Sequence, residues 1–239
     1  MNDDVRARLV SIQHDVRAFF GWSYEDDVRS AAQLAQTMDD DAPFNTSSWS
    51  PHARKASLDA LKRIAGSPLV LVVGAAAEPQ AVRAALEEGA CVVAADGAAG
   101  ACEGIVQPHA VVTDLDGAEH LERAAQNGST LVVHAHGDNM ERWQACLARW
   151  SRLRQPPPMV LTHQTDETLP GMHNPGGFTD GDRAVCCLLS WGVEPERIRC
   201  IGFDAHRLGR WSGDTDPERK LEKLGWMDTI LRLALPGHE

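Results

Sequence analysis

Two rhythms of apolar and polar residues divide the chain near residue 66. Before it, DDVRARLVSIQHDVRAFF and YEDDVRSAAQLAQTM place apolar residues at three- and four-residue spacing, the pattern of amphipathic helices. A polar stretch containing Trp49 runs from Asp39 to Pro51. SPHARKASLDALKRIAG then reads as a third helix, with Ser50 as N-cap, Pro51 in the first turn and Gly66 as the stop. From Ser67 onward, short apolar, β-branched runs alternate with helical stretches. The runs lie at 69–73, 91–95, 109–113, 131–135, 159–162 and 199–202. PERKLEKLGWMDTILRLAL adds a last amphipathic helix. The alternation predicts an α/β fold: a mostly parallel sheet of about six strands with helices on both faces. It also suggests a small N-terminal helical region over 1–66 and an α/β catalytic domain over 67–239. Whether the N-terminal helices pack on the sheet or make a dimer contact is open at this level.

Parallel sheets of this kind bind ligands at the carboxyl ends of their strands. The segments after the six runs are GAAAEP, ADGAAG, TDLDG, HAHGDN, HQTDETLPGMHNPGGFTDGDR and GFDAHRLGRWSGD. Five of the six hold an aspartate close to glycine or threonine. Turns favour the same residues, but a carboxylate at nearly every carboxyl end exceeds what turning requires.

The pair Asp114 and Asp116 in VTDLDG is the sharpest signal. Residues two apart in extended chain point to one side, and two such carboxylates are costly together unless a cation neutralises them. Magnesium prefers a few carboxylates plus phosphate oxygens and water. The plainer alternative makes Asp116 the N-cap of the next helix. Asp96 and Gly97 follow the second run in the same way, as a substrate contact or as a cap. In NPGGFTDGDR, Gly176 and Gly177 would let backbone N–H groups approach a phosphate. There Thr179 caps the helix that follows, Asp180 and Asp182 lie in its first turn, and Arg183 could clamp a phosphate. Gly74 opens a small-residue turn that is not a P-loop, since no Gly-Lys-Ser/Thr follows. Lys220 and Lys223 are two of only four lysines and are candidates for phosphate contact, or else a solvated helix face. The run His134, His136, Asp138 also fits a binuclear zinc hydrolase, although Asn139 stands where a further ligand would be expected. Trp49, Trp211 and Phe178 are candidates for stacking on a flat substrate, or core residues.

Composition narrows the classes. The formal net charge is -11 with no basic run, which argues against nucleic-acid binding. No stretch approaches the ~18 apolar residues of a membrane span and none resembles a signal peptide, so the expected location is cytoplasmic. The six cysteines form no C-x-x-C pair and read as buried, reduced thiols.

ADGA (95–98), VTDLDG (112–117), HAHGDN (134–139), GGFTDGDRA (176–184), IGFD (201–204), GRWSGD (209–214) and RKLEKL (219–224), with FGWSYEDDVRSAAQL near the start, resemble the archaeal 6-hydroxymethyl-7,8-dihydropterin pyrophosphokinase family. That family carries the DUF115 domain and is related in fold to thiamine pyrophosphokinases. The resemblance implies transfer of diphosphate from ATP to the hydroxymethyl of a dihydropterin, with release of AMP, in folate- or methanopterin-type biosynthesis. It implies magnesium held by Asp114, Asp116 and Asp180, and an ATP–pterin cleft lined by Asp96, Asp138, Asn139, Thr179 and Arg183. Gly74, Gly97, His136, Gly176, Gly177, Lys220 and Lys223 complete the expected ligand-binding set. The family's usual G-x-G-P-S-L turn is GAAAEP here, which carries no phosphate role to Ala76 or Glu78. The alternatives are thiamine diphosphokinase on the same fold and the zinc hydrolase.

Overall fold

The computed structural model describes residues 3–213 and 216–237. Seven parallel strands form one sheet: β1 (Val70–Val73), β2 (Cys91–Ala95), β3 (Ala110–Thr113), β4 (Thr130–Ala135), β5 (Met159–His163), β6 (Met172–His173) and β7 (Ile198–Ile201). Their order is β6-β5-β4-β3-β2-β1-β7. The six predicted runs are the six longer strands. The seventh, β6, pairs only Met172 and His173 with β5 and is too short to leave a hydrophobic run in the sequence.

Chain direction across the sheet follows from crossover handedness. From β1 to β5, each strand is laid beside the last, and α4 (Pro79–Glu87), α5 (Ala118–Gln126) and α6 (Met140–Trp150) cover one face. After β6 the chain reverses. α7 (Asp180–Ser190) crosses the opposite face and delivers β7 to the far side of β1. Right-handed crossovers in opposite directions along a sheet put their helices on opposite faces. The strand order switches direction at β1, and crevices at such points receive ligands.

The helices before residue 67 are part of both layers. α1 (Asp3–Phe20) packs on α8 (Pro217–Ala234), α2 (Tyr24–Met38) on β4 and α3 (Pro51–Lys62) on β5. Leu34, Met38 and Trp49 join the core on one face, and Leu9, Leu58 and Leu61 the core on the other. α3 starts as its sequence suggests, with Ser50 accepting from the Ala53 N–H and Pro51 at the first position. Trp49 is fully buried and donates from Nε1 to the Pro157 carbonyl at 2.8 Å. It is a core residue, which removes it from the stacking candidates. Cys102, Cys146, Cys186 and Cys187 are buried, Cys91 and Cys200 partly so, and all six are free thiols. No helix among the described residues is long and apolar enough to cross a membrane.

His163 ends β5 only 3% exposed, and its Nδ1 accepts from the Thr165 N–H at 3.3 Å. Burial, then the neighbouring His173, push its pKa down to about 4. A histidine depressed from ~6.5 in the unfolded chain contributes stability that is present above pH ~6.5 and lost as pH falls towards the folded value. The expected size is about 3 kcal/mol. Urea unfolding at pH 7 and pH 4.5 should therefore show a smaller acid-induced loss for His163→Asn than for the parent protein. Equal losses would mean that another group sets the slope.

Candidate active site

The carboxyl ends of β2 and β3 are built for close approach. Thr113, fully buried at the end of β3, donates its hydroxyl to the Asp96 carboxylate and accepts from the Leu115 N–H at 2.7 Å. Asp96, Leu115 and Ala118 all have positive φ, at 44°, 79° and 47°. Such conformations cost of order 1–3 kcal/mol each and persist where the surroundings impose them, commonly at functional sites. Gly117 is required between them, because a Cβ there would stand 2.6 Å from the Asp96 carboxylate. Asp116 is not the cap of α5; that position is Gly117, which makes no side-chain cap bond. The Asp116 carboxylate is left for the cleft.

Asp96, Asp114, Asp116 and Asp180 each offer a carboxylate oxygen, and these oxygens lie within 4.8 Å of one another. Oδ1 of Asp114 and Oδ1 of Asp180 are buried without a hydrogen-bond partner among the described residues. Burial and the neighbouring carboxylates push Asp96 and Asp180 well above the usual range, and burial with Asp114 raises Asp116. Crowded carboxylates with orphaned oxygens fit the oxygen-donor preference of a hard divalent cation. These four residues could hold magnesium.

The HAHGDN run supports this cluster from behind. The His136 ring lies between Asp114, 3.4 Å from Nε2, and Asp138, 2.8 Å from Nδ1. Burial lowers the His136 pKa, but the two carboxylates outweigh it and bring it to about 9. His136 is therefore an imidazolium at neutral pH. Burial raises Asp114, yet the hydrogen bond from His136 holds it below the usual carboxylate range. Asn139 is fully buried: its Oδ1 accepts from the His136 N–H at 3.0 Å, and its Nδ2 donates to the carbonyls of His134 (2.7 Å) and Asp114 (3.1 Å). Asn139 thus ties the β4 loop to the β3 loop and does not line the cleft, which corrects the expectation of a ligand contact. Asp138 also stands outside the cleft lining, mostly exposed and paired to His136. The zinc-hydrolase arrangement is not assembled. The His134 Nε2 faces the amide oxygen of Gln164 at 3.2 Å, so it carries a proton, and both His136 nitrogens face carboxylates. Among the described residues only the four aspartates form a candidate metal set.

Asp180 reaches the cluster from the start of α7. Thr179 and Asp182 close a capping box, with the Asp182 carboxylate accepting from the Thr179 N–H at 2.9 Å and hydroxyl at 2.7 Å. Asp182 serves the helix start and Asp180 is left for the cleft. Arg183 is 2% exposed, donating to Gln164 Oε1 at 3.2 Å and lying 3.8 Å from Asp180. It sits at the cleft wall and acts on Asp180 as much as on any ligand. Gly176 and Gly177 are another correction. Both have positive φ, and a Cβ would stand 2.8 Å from the Leu9 carbonyl oxygen at Gly176 and 2.6 Å from the Arg183 Cα at Gly177. They let the loop pass between α1 and α7, and they do not line the cleft.

The cleft is lined by Gly74, Asp96, Gly97, Asp114, Asp116, His136, Thr179, Asp180, Arg183, Lys220 and Lys223 from the expected set. It also uses residues given no site role from the sequence: Trp22, Gly202, Phe203 and Gly209, which lie in the quoted motifs, and Gln164, Arg207 and Met227 outside them. The segment after β7 folds onto the turn after β1. The Trp211 N–H donates to the Ala75 carbonyl and its Nε1 to the Ala77 carbonyl, both at 2.9 Å. A Cβ at Gly209 would stand 2.1 Å from Ala75. The glycines of IGFD and GRWSGD carry a readable trace of this contact; Asp214 of the latter motif lies outside the described residues.

Three curated proteins are similar to this chain, each named 6-hydroxymethyl-7,8-dihydropterin pyrophosphokinase. The one from Methanothermobacter thermautotrophicus is 40% identical over 157 residues, covering 63% of this chain and 61% of the relative. The one from Pyrococcus furiosus is 37% identical over 147 residues, 58% and 59% of the two chains. The one from Methanocaldococcus jannaschii is 35% identical over 115 residues, 47% and 46%. The chain thus spans about three fifths of the length of the first two. No protein-family model matches it.

Proposed function

We propose that this chain transfers the terminal diphosphate of ATP to the hydroxymethyl group of 6-hydroxymethyl-7,8-dihydropterin, releasing AMP. The observation that carries this reading is the set of four carboxylates gathered at the strand ends, with Lys220 and Lys223 across the same cleft. The names of the three relatives supply the pterin and the diphosphate transfer; ATP as donor follows the resemblance of the sequence motifs.

Asp114, Asp116 and Asp180 would hold magnesium, which supplies charge neutralisation on the transferred phosphates. The chain's own groups do the rest. Lys220 offsets the charge of Asp116 and Asp180, and Lys223 that of Asp114 and Asp138, so both stand where an anionic ligand would meet them. His136, kept cationic, fixes Asp114 in its ionised form. In the reaction the substrate oxygen bonds to the β-phosphorus. The bond from that phosphorus to the bridging oxygen breaks, AMP leaves with that oxygen, and the alcohol proton passes to solvent or a cluster carboxylate. A transition state of this loose kind needs alignment and charge stabilisation more than a strong base.

The test is AMP release from ATP with magnesium, using the hydroxymethyl-dihydropterin, thiamine or no acceptor. AMP formed with the pterin alone supports the reading. AMP formed with thiamine instead moves the chain to the other diphosphokinase class, and AMP with neither sinks the proposal.

A further inference from the structure

The chain holds thirteen aromatic residues among Phe, Trp and Tyr, and five of them meet at one mouth of the cleft. Phe20 stacks on Trp22 with ring centres 4.7 Å apart and planes within 16°. Phe178 leans on both at 5.7 Å, while Phe19 meets Phe20 and Trp226 edge-on. Of these five, Trp22 and Phe178 line the cleft that contains the carboxylates, and both are only half-buried. They arrive from distant places: Trp22 from the joint between α1 and α2, Phe178 from the loop that ends in Asp180. An aromatic wall beside a phosphate-transfer centre offers a flat apolar face with little conformational cost.

The other aromatic residues of the cleft are already committed. Phe203 lies against the backbone at Gly74 and Gly181, where added Cβ atoms would stand 2.8 and 2.6 Å from its ring. The Trp211 ring covers Gly100 and meets His120 edge-on, and its Nε1 is spent on Ala77. These two rings hold the β1 turn and the late loop together. A flat ligand is left with the Trp22–Phe178 wall.

Charge at that wall restricts the ligand further. The Lys223 ammonium lies 5.5 Å from the Trp22 ring centre, and the Arg219 guanidinium 5.6 Å from Trp22 and 6.0 Å from Phe20. The electron-rich faces that would attract a cationic ring already serve two cations. A positively charged heterocycle such as a thiazolium would meet like charge there. A neutral fused ring would not, and Lys223 would stand between it and the carboxylates.

Resting on the diphosphokinase reading, we propose that Trp22 and Phe178 form the acceptor subsite and select a neutral, flat heteroaromatic alcohol over a cationic one. The nucleotide then lies towards the Gly74 turn and the late loop. In this arrangement the N-terminal helices, through Trp22, decide which alcohol is used, while the strand ends perform the transfer.

The experiment compares the parent protein with Trp22→Leu, Trp22→Phe and Phe178→Leu, each checked for an unchanged thermal midpoint. Initial rates are measured separately against acceptor and ATP. Binding of 6-hydroxymethylpterin, an oxidised fluorescent probe, is measured by fluorescence quenching without ATP. Loss of one stacked ring should weaken acceptor binding about 10-fold or more. Trp22→Leu and Phe178→Leu are therefore expected to raise the acceptor KM by that factor and to weaken probe quenching equally, with the KM for ATP within twofold. Trp22→Phe should restore most of the loss. Normal acceptor KM and normal quenching in both Leu variants would overturn the subsite while leaving the transfer reaction intact. Quenching that depends on Trp22 in a protein that forms no AMP would support the subsite and reject the reaction.

Discussion

Asp116→Asn should lower AMP formation by about 100-fold or more, as loss of other charge-stabilising groups does, while leaving the fold intact. Asp116 is exposed, lines the cleft and makes no cap bond. Its proposed role is to share a cation with Asp114 and Asp180. In the metal-free protein its ionised form is disfavoured, first by burial and then by Asp114. The sign of the stability effect follows. A carboxylate whose folded pKa is raised contributes stability that is present below its unfolded value and lost as pH rises through the folded value. The neutral amide should therefore leave the metal-free thermal midpoint at pH 7 unchanged or higher. The parent protein should gain stability from millimolar magnesium in proportion to occupancy, and the variant should lose most of that gain. Calorimetry with and without magnesium, beside the rate assay, reads both effects. Parent-like turnover in a folded Asp116→Asn protein would remove this carboxylate from the mechanism.

Asn139→Ala should cost about 3 kcal/mol of unfolding free energy, because it removes the hydrogen bonds of one buried side chain to three backbone groups at once. These are the His136 N–H and the carbonyls of His134 and Asp114. Asn139→Asp is the sharper probe, since it keeps the shape and the acceptor but turns the Nδ2 donor into an oxygen facing two carbonyls. Both variants release the β3 loop from the β4 loop, so Asp114 loses its fixed position. A misplacement of the order of 1 Å at a reacting centre costs about 100-fold. A fall in kcat is expected with little change in the KM for either substrate. A parent-like unfolding midpoint for Asn139→Ala in urea would contradict the tethering role.

The sheet was readable because buried parallel strands are near-continuous apolar runs and the helices between them keep their period. Strand β6 was not, because two residues carry no period. Asp96, Asp114, Asp116 and Asp180 were readable for a topological reason: parallel strands bring every carboxyl end to one edge, so an aspartate after each run has few other places to go. The same logic misjudged Asn139, Gly176 and Gly177, which lie in the right loops but face the scaffold. Proximity to the edge does not fix the direction of a side chain; the hydrogen bonds of Asn139 and the close contacts at Leu9 and Arg183 do. Trp22 was hidden for another reason. It comes from a helical joint more than fifty residues before the next cleft residue, Gly74, and only the packing of α1 on α8 and of α2 on β4 brings it to the mouth. Gly202 and Gly209 gave a faint signal as glycines, but their partner, the turn at 75–77, could not be named from the sequence.

The central claim is that this cleft moves two phosphates together onto an alcohol, and phosphorus NMR of the reaction mixture tests it most directly. With ATP, magnesium and 6-hydroxymethyl-7,8-dihydropterin, the account predicts loss of the three ATP resonances, growth of the AMP singlet and appearance of two coupled doublets from a pterin diphosphate ester, all slowed about 100-fold or more in Asp116→Asn. Formation of ADP with a single phosphomonoester resonance, or consumption of ATP to AMP and free pyrophosphate with the pterin untouched, would contradict it.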